Sequence, residues 1–171
     1  AESFVNPELE VATAEEALTG AGHILAEQFA DVVEARAIVR ELTWQQGQFC
    51  SQPARGKEET VSKFEMYYDF SEPIRQIPSH RMLAMRRGEK EEVLRLRIEA
   101  PEKDILGRLV ALFVPSECRF AELLREFVAD AYKRLLTPSI ELDLRLQAKK
   151  AADDEAIKVF AENLHNLLLA A

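Results

Sequence analysis

The end of the sequence constrains the fold most, because about 30 residues pass there without a helix-breaking residue. Thr137-Pro138 opens this stretch with a residue that caps helices and one that fits the first helical position. At ~1.5 Å per residue such a helix would span roughly 45 Å, more than the width of a small domain. Its apolar residues lie toward both ends, whereas residues 149–155 are polar on nearly every side. This pattern is typical of a helix that bridges two packed regions through solvent.

A first helix is predicted near the N-terminus. Thr13 and Glu16 have the spacing of a capping box, in which each side chain bonds a free backbone amide of the first turn. Apolar residues then recur at helical spacing as far as Phe29. Gly20 and Gly22 inside this helix indicate close packing against another helix.

Further helices follow from similar signals. Asp31 is expected to cap a second helix, and Gly47 is expected to end it. Ser71-Glu72-Pro73 is expected to start a short helical turn. Apolar periodicity and helix start and stop residues predict four more helices, at about residues 58–70, 78–88, 102–113 and 116–136.

One segment, Val93–Glu99, alternates between apolar and charged residues like a strand, and Gln48–Ser51 is its candidate partner. The sequence therefore predicts a mainly α protein. We expect a multi-helix orthogonal or bundle arrangement with a long C-terminal helix and at most a short β-hairpin. The expected domains are a helical domain over residues 1–136, with its strand at about 93–99, and a long helix over 137–171 that links to a further domain.

The net charge of −8 is unevenly distributed. Residues 1–53 sum to −7, residues 54–97 to +2 and residues 98–171 to −3. An acidic balance argues against nucleic-acid binding by the bulk charge of the chain, so the middle segment is the place for any phosphate contact. The sequence has no apolar run of membrane-spanning length. Its first residues lack the basic start and the apolar stretch of a signal peptide, so we do not expect one there. Because residue 1 is not Met and the chain closes on an apolar helix, we expect both ends to lie within a longer polypeptide.

The residues that could carry catalysis are scattered. His23 and His165 lie inside predicted helices, where packing or surface roles are more common than catalysis. Ser79 and His80 are adjacent, so on a helix their side chains point about 100° apart and cannot form a dyad. The two cysteines, Cys50 and Cys118, lack the spacing of a zinc site, and two reduced thiols are expected. We therefore expect no enzyme activity, no metal and no cofactor.

The middle segment combines basic and aromatic residues in a way that suits contact with nucleic acid. The alternative is that its aromatic residues form core and its lysines pair with Glu58 and Glu59, and the sequence alone favours that interpretation. If the segment does contact nucleic acid, the candidate residues are Arg55, Lys57, Lys63, His80, Arg81, Arg86 and Arg87.

The same segment resembles a known family. The residues that carry the resemblance are Gly56-Lys57-Glu58-Glu59, Lys63-Phe64, Tyr67, Asp69, Ser71-Glu72-Pro73, Ile77-Pro78-Ser79-His80-Arg81 and Arg87-Gly88-Glu89-Lys90. Flanking stretches agree, at Asn6-Pro7-Glu8, Ile24-Leu25-Ala26-Glu27-Gln28 and Ala156–Leu164. Together they resemble the bacterial transcription accessory protein family Tex, in its helical section before an RNase H-like domain.

This resemblance implies a cytoplasmic, nucleic-acid-binding protein of several modules. Besides a helical N-terminal part, these are an RNase H-like domain, a helix-hairpin-helix region and a C-terminal OB-fold that binds RNA. Beyond Ala171 we then expect an apolar strand containing an Asp, followed by a glycine-rich turn. Gln52 and Glu65 stand where the family commonly has basic residues, which makes the middle segment of this chain less basic.

The leading hypothesis is a helical scaffold segment of a Tex-like RNA-binding transcription accessory protein, which positions neighbouring domains. Its expected partners are RNA or DNA, bound through the full-length protein, and the remaining domains of the same polypeptide. The rival hypothesis is a protein-docking module whose exposed helical surface binds RNA polymerase or another transcription factor. No membrane partner is expected.

Overall fold

The computed structural model describes residues 2–6, 12–58 and 61–170. The protein is mainly helical, with a helical content of 68%. The helices are α1 (Ala14–Asp31), α2 (Val33–Gln46), α3 (Ser79–Lys90), α4 (Glu102–Phe113), α5 (Ala121–Asp130) and α6 (Thr137–Leu169). The strands are β1 (Gln48–Pro53), β2 (Phe70–Pro73) and β3 (Leu94–Glu99). The prediction of a mainly α fold with a long C-terminal helix is confirmed.

The residues group into two compact units, each made of two stretches of sequence. The first unit comprises residues 1–40 and 102–140, and the second comprises residues 41–101 and 141–171. The units therefore interleave along the chain, whereas the sequence pattern places a single boundary at residue 136.

In the first unit, α1 packs closely against α5. A Cβ atom on Gly22 would lie 2.3 Å from the ring of Phe127, so only glycine fits at this contact. Phe29 and Phe113 stack with their ring centroids 4.3 Å apart. The close-packing prediction is thus confirmed for Gly22, but it is wrong for Gly20, which has nothing within 4 Å of its Cβ position.

The capping box at the start of α1 is confirmed. The Thr13 hydroxyl accepts from the Glu16 amide at 3.1 Å, and the Thr13 amide donates to the Glu16 carboxylate at 3.0 Å. Asp31, in contrast, is the last residue of α1 rather than the cap of α2, because a single extended residue, Val32, separates the two helices. Gly47 follows the end of α2 as predicted, and its amide donates to the Thr43 carbonyl at 2.8 Å.

The second unit contains a three-stranded antiparallel sheet in the order β2-β1-β3. The predicted pairing of Gln48–Ser51 with the 93–99 strand is confirmed, with Phe49 opposite Ile98 and Ser51 opposite Leu96. Facing residues of an antiparallel pair share one side of the sheet, and these four are buried. The opposite side carries Arg95 and Arg97.

The third strand, β2, lies where a helical turn was predicted at Ser71–Pro73. The helix predicted at 58–70 is also wrong, since the described part of this segment is irregular around a short 3-10 turn at Glu65–Tyr67. The residues of β2 are extended because β1 supplies backbone partners for them, with Cys50 opposite Ser71. Pairing across the sheet outweighs the local helical spacing of the aromatic residues.

Helix α3 begins after Pro78, and it continues past Gly88, where the sequence predicted its end. Gly88 is instead a buried residue inside the helix. A Cβ atom at this position would lie 2.6 Å from the side chain of Leu94, so there is no room for a side chain. The helix ends in a Schellman motif, with the Val93 amide bonded to the Gly88 carbonyl and the Glu92 amide to the Glu89 carbonyl. Glu92 takes the left-handed position of this motif, at φ 56°.

A helical path of 49 residues leads without interruption from the start of α5 to the end of α6. The break predicted at Thr137-Pro138 is absent from this described stretch, and Thr137 is helical rather than a cap. A π-helical turn at Ala131–Leu136 precedes the proline. Proline lacks an amide hydrogen and crowds the carbonyl four residues earlier, so the wider turn lets the helix pass through Pro138.

Candidate nucleic-acid interface

A tight turn after β1 presents two of the candidate cations. The Lys57 amide donates to the Ala54 carbonyl at 2.9 Å, and Gly56 has φ +79°, the geometry of a type II turn. The Ala54 amide also bonds the Val93 carbonyl at 2.8 Å, which ties the turn to the start of β3. Arg55 and Lys57 are both exposed on it. The turn therefore holds two cations in solvent at one end of the sheet.

A carboxylate lies against the same turn. Hydrogen bonds from the Glu58 amide and then from the Gly56 amide lower the pKa of the Glu58 carboxyl. Glu58 is therefore held by backbone amides, and it is charged at neutral pH beside Arg55 and Lys57. Its charge offsets part of the positive potential of the turn.

Three other candidates form ion pairs. Lys63 lies 2.9 Å from Glu91, Arg86 lies 3.2 Å from Glu89, and Arg81 pairs with Glu72. Lys63 and Arg81 also lie over aromatic rings, 5.0 Å from the centroid of Phe64 and 5.7 Å from that of Phe70 respectively. These cations are already neutralised, so they offer less attraction to a phosphate backbone than the sequence suggests.

Glu89 also pairs with Arg145 on α6, so that Arg86, Glu89 and Arg145 form a charged triad within the second unit. Only 19% of the Arg145 side chain and 29% of the Glu89 side chain are exposed. Because these groups are largely removed from water, their contacts hold α3 against α6 rather than present charge to a ligand.

The two remaining candidates lie on one face of α3. His80 and Arg87 are seven residues apart, which is two helical turns or about 10 Å along the axis. Both are exposed, and Arg87 has no ion pair among the described residues. His80 lies at an open groove of about 620 Å³ between the start of α3 and residues 155–163 of α6, where Val159 and Phe160 form part of the wall.

The candidate set omitted Arg95 and Arg97. Strand alternation already indicated that they point away from the core, and the register places Arg95 opposite Gln52 on the outer side of the sheet. Arg97 pairs with Glu99 at 2.5 Å, whereas Arg95 is exposed without an ion pair in the described part of the chain.

Among the candidate cations and the two arginines of β3, those that are exposed without an ion pair to another described residue are therefore Arg55, Lys57, Arg87 and Arg95. They all belong to the second unit. Three of the predicted contact residues, Arg55, Lys57 and Arg87, thus have no ion pair among the described residues, and Arg95 joins them. Lys63, Arg81 and Arg86 form ion pairs instead.

No group of three or more His, Cys, Asp or Glu side chains in the described ranges is placed to hold a metal ion. Both cysteines are free thiols, and the Cys50 sulfur lies 3.4 Å from the Ser71 hydroxyl. None of the helices in the described residues is both long enough and apolar enough to cross a membrane.

Comparison with known proteins identifies the family of this chain. Residues 1–160 match the model of the family described as Tex central region-like. The chain is 40% identical over 173 residues to the protein YdcI of Bacillus subtilis and 36% identical over 177 residues to the transcriptional accessory protein Tex of Neisseria gonorrhoeae. It is also 31% identical over 182 residues to the S1 RNA-binding domain-containing protein 1 of Pongo abelii. These alignments cover 99%, 100% and 98% of this chain.

The chain belongs to the Tex central region-like family, so the resemblance found in the sequence is confirmed. It spans only a quarter or less of the length of these relatives, 24% of YdcI, 23% of the Neisseria protein and 18% of the Pongo protein.

Proposed function

We propose that this chain is a helical scaffold segment of a cytoplasmic, RNA-binding transcription accessory protein of the Tex type, and that it positions neighbouring domains. Two observations on relatives support this. The chain covers 24% of one relative and 18% of another, and the second of these is named for an S1 RNA-binding domain. In this proposal RNA or DNA is bound mainly by other parts of the full-length protein, and the chain itself has no catalytic role.

The observation that carries the proposal is the exposed apolar end of α6. Ile157, Phe160, Leu164 and Leu167 are spaced by three, four and three residues, and between 45% and 71% of each is exposed. This is the a and d spacing by which a helix packs along a seam against another element. Monomeric proteins rarely expose a contiguous apolar surface of this kind unless a partner covers it. The occupant we assign is a neighbouring domain of the same polypeptide.

Hydrogen exchange on the full-length protein tests this assignment. We expect the backbone amides of residues 157–167 to exchange more slowly in the full-length protein than in the 171-residue chain, because a neighbouring domain covers their helix. A double variant, Phe160→Ser with Leu164→Ser, should restore fast exchange in the full-length protein. Val61→Ser, which alters an apolar side chain that is 88% exposed on a loop of the same unit, is the matched control. Equal exchange rates in the two lengths of protein would contradict the scaffold role.

An auxiliary contact with nucleic acid is the finer part of the proposal. The triple variant Arg55→Ala, Lys57→Ala and Arg87→Ala should weaken binding of a 20-nucleotide single-stranded RNA. It should also reduce the slope of log K against log salt by about 2, since each phosphate contact on a single strand contributes about 0.7. The matched control removes three other exposed cations, Lys103, Lys150 and Lys158, and should leave that slope nearly unchanged. Equal effects of the two triple variants would exclude a specific contact at these residues.

The second candidate function is a protein-docking module for RNA polymerase or another transcription factor. An apolar groove in the first unit, lined by Phe4 and by residues of helix α1, supports it.

A further inference from the structure

An open groove lies in the first unit between the 3-10 turn Glu2–Phe4 and helix α1. Its volume is about 500 Å³, within the range of ligand-binding clefts. The residues around it are almost all apolar or small, and 76% of Phe4 and 60% of Ile24 are exposed. The lining residues from α1 are Glu16, Ala17, Leu18, Gly20, Ala21 and Ile24.

The groove occupies the side of α1 that faces away from the core of its unit. The buried residues of this helix are Gly22, Ala26 and Ala30, which are four residues apart and follow one inner face. Gly20 and Ile24 lie roughly opposite that face, at about 100° per residue. The groove is therefore an outer surface of the helix rather than a gap in the packing of the core.

The surroundings of the groove are acidic. Helix α1 contains four Asp and Glu residues, Glu15, Glu16, Glu27 and Asp31, and neither Lys nor Arg. Glu16, Gly20, Ile24, Glu27 and Asp31 follow one another at intervals of three or four residues, so they lie along one outer face of α1. All five are exposed. Glu16 thus lines the groove, and Glu27 and Asp31 continue the same face beyond Ile24, where Arg134 of the π-helical turn interacts electrostatically with Glu27.

We propose that this groove binds a basic amphipathic helix of a protein partner. An apolar side chain of the partner would lie between Phe4 and Ile24, and its Lys or Arg residues would meet Glu16, Glu27 and Asp31. Helices bind grooves in this way through anchors spaced three or four residues apart. Charge complementarity selects this occupant, because a nucleic-acid backbone or the same acidic face of a second copy would be repelled. The inference deepens the docking-module candidate, and none of the residues that line this groove belongs to the apolar end of α6 that the scaffold role uses.

A designed peptide of 18 residues tests the proposal, with Leu at helical positions i, i+3, i+4 and i+7, Lys elsewhere and a fluorescent label. Its fluorescence anisotropy should rise on addition of the chain. Ile24→Ser should weaken binding about tenfold or more, since the partner's apolar side chain would lose the apolar surface of Ile24 that it buries. Val33→Ser is the matched control, because Val33 is 81% exposed in the same unit but does not line the groove. It should leave affinity unchanged, and circular dichroism should confirm that both variants are folded.

The charge requirement is tested separately. Glu27→Gln with Asp31→Asn should lower affinity several-fold at low salt and have little effect at high salt, because exposed charges are screened over about 10 Å at 0.1 M. A peptide in which Glu replaces every Lys should not bind. Equal loss in the Ile24 and Val33 variants, or equal binding of the acidic peptide, would overturn the proposal. So would self-association of the chain that Ile24→Ser abolishes, or a single-stranded RNA that competes with the peptide.

Discussion

Two stretches of helix α6 contain similar apolar side chains in opposite surroundings. Leu144, Ala148 and Ala152 recur every four residues, and they are at most 7% exposed. Between residues 157 and 167 the apolar residues alternate in steps of three and four, and Phe160 is 68% exposed. The first stretch has the pattern of one helix face packed on its own unit, whereas the second has the spacing of a packing seam but is largely exposed in the described part of the chain. The difference indicates that the first stretch stabilises the fold, while the second is available for assembly.

The largest expected difference between these stretches is in stability. Leu144→Ala should lower the free energy of unfolding by about 2–5 kcal/mol, because it opens a cavity where Leu144 is fully buried. Leu167→Ala, at a side chain that is 71% exposed, should change it by less than about 0.5 kcal/mol. Urea unfolding of the chain followed by circular dichroism measures both values. A similar loss of unfolding free energy in the two variants would contradict the distinction between the buried and the exposed stretch. A larger loss for Leu167→Ala in the full-length protein than in the chain would support it further.

A second pair of positions repeats the comparison on α1. Gly22→Ala should cost about 1–3 kcal/mol, because its Cβ would lie 2.3 Å from the Phe127 ring and force the helices apart. Gly20→Ala should stabilise the chain by up to about 1 kcal/mol, since its Cβ position is open and alanine loses less entropy in a helix. Thermal or urea unfolding of both variants measures whether each substitution raises or lowers the stability of the chain. Stabilisation by Gly22→Ala would mean that α1 and α5 do not pack as the structure has them.

Local signals predicted the parts of the fold that local interactions determine. The capping box at Thr13, the alternation of β3 and the length of the last helix depend on neighbouring residues in the sequence. Strand β2 does not, because Phe70–Pro73 is extended only where β1 supplies its backbone partners. The path of the helix through Pro138 was also unpredictable, since the π-helical turn that accommodates the proline has no sequence signal of its own.

The candidate site was likewise predictable from the sequence only in part. Sequence located the cations of the middle segment and the outward side of β3, but it could not determine which cations are neutralised. Lys63 pairs with Glu91, 28 residues away, and Arg81 pairs with Glu72, nine residues away. Such pairs depend on the tertiary fold. They neutralise Lys63 and Arg81 but not Lys57, although the sequence alone does not distinguish these three candidates.

The end of α3 extends the comparison to backbone geometry. Glu92 takes a left-handed conformation that costs a residue with a Cβ roughly 1–2 kcal/mol and costs glycine far less. Glu92→Gly should therefore stabilise the chain by about 0.5–1 kcal/mol, part of the gain being offset by glycine's greater freedom in the unfolded chain. The matched control is Glu91→Gly, one residue earlier at φ −83°, which should destabilise the chain. Urea unfolding measures both, and a destabilising Glu92→Gly would contradict the Schellman geometry.

The smallest expected effect concerns an exposed ion pair in the first unit. A hydrogen bond from Arg134, 2.8 Å away, lowers the pKa of Asp130 below its ordinary value. A lowered folded-state pKa adds stability above the unfolded-state value, about 3.9, and that stability is lost as the pH falls through the folded-state pKa. Asp130→Asn should thus destabilise the chain slightly at pH 7 and not at all in strong acid, in urea unfolding measured against pH. Because both side chains are at least 40% exposed, solvent screens the pair, and the effect should be smaller than at any buried position above. A difference that grew as the pH fell would show that Asp130 is held by something other than its charge.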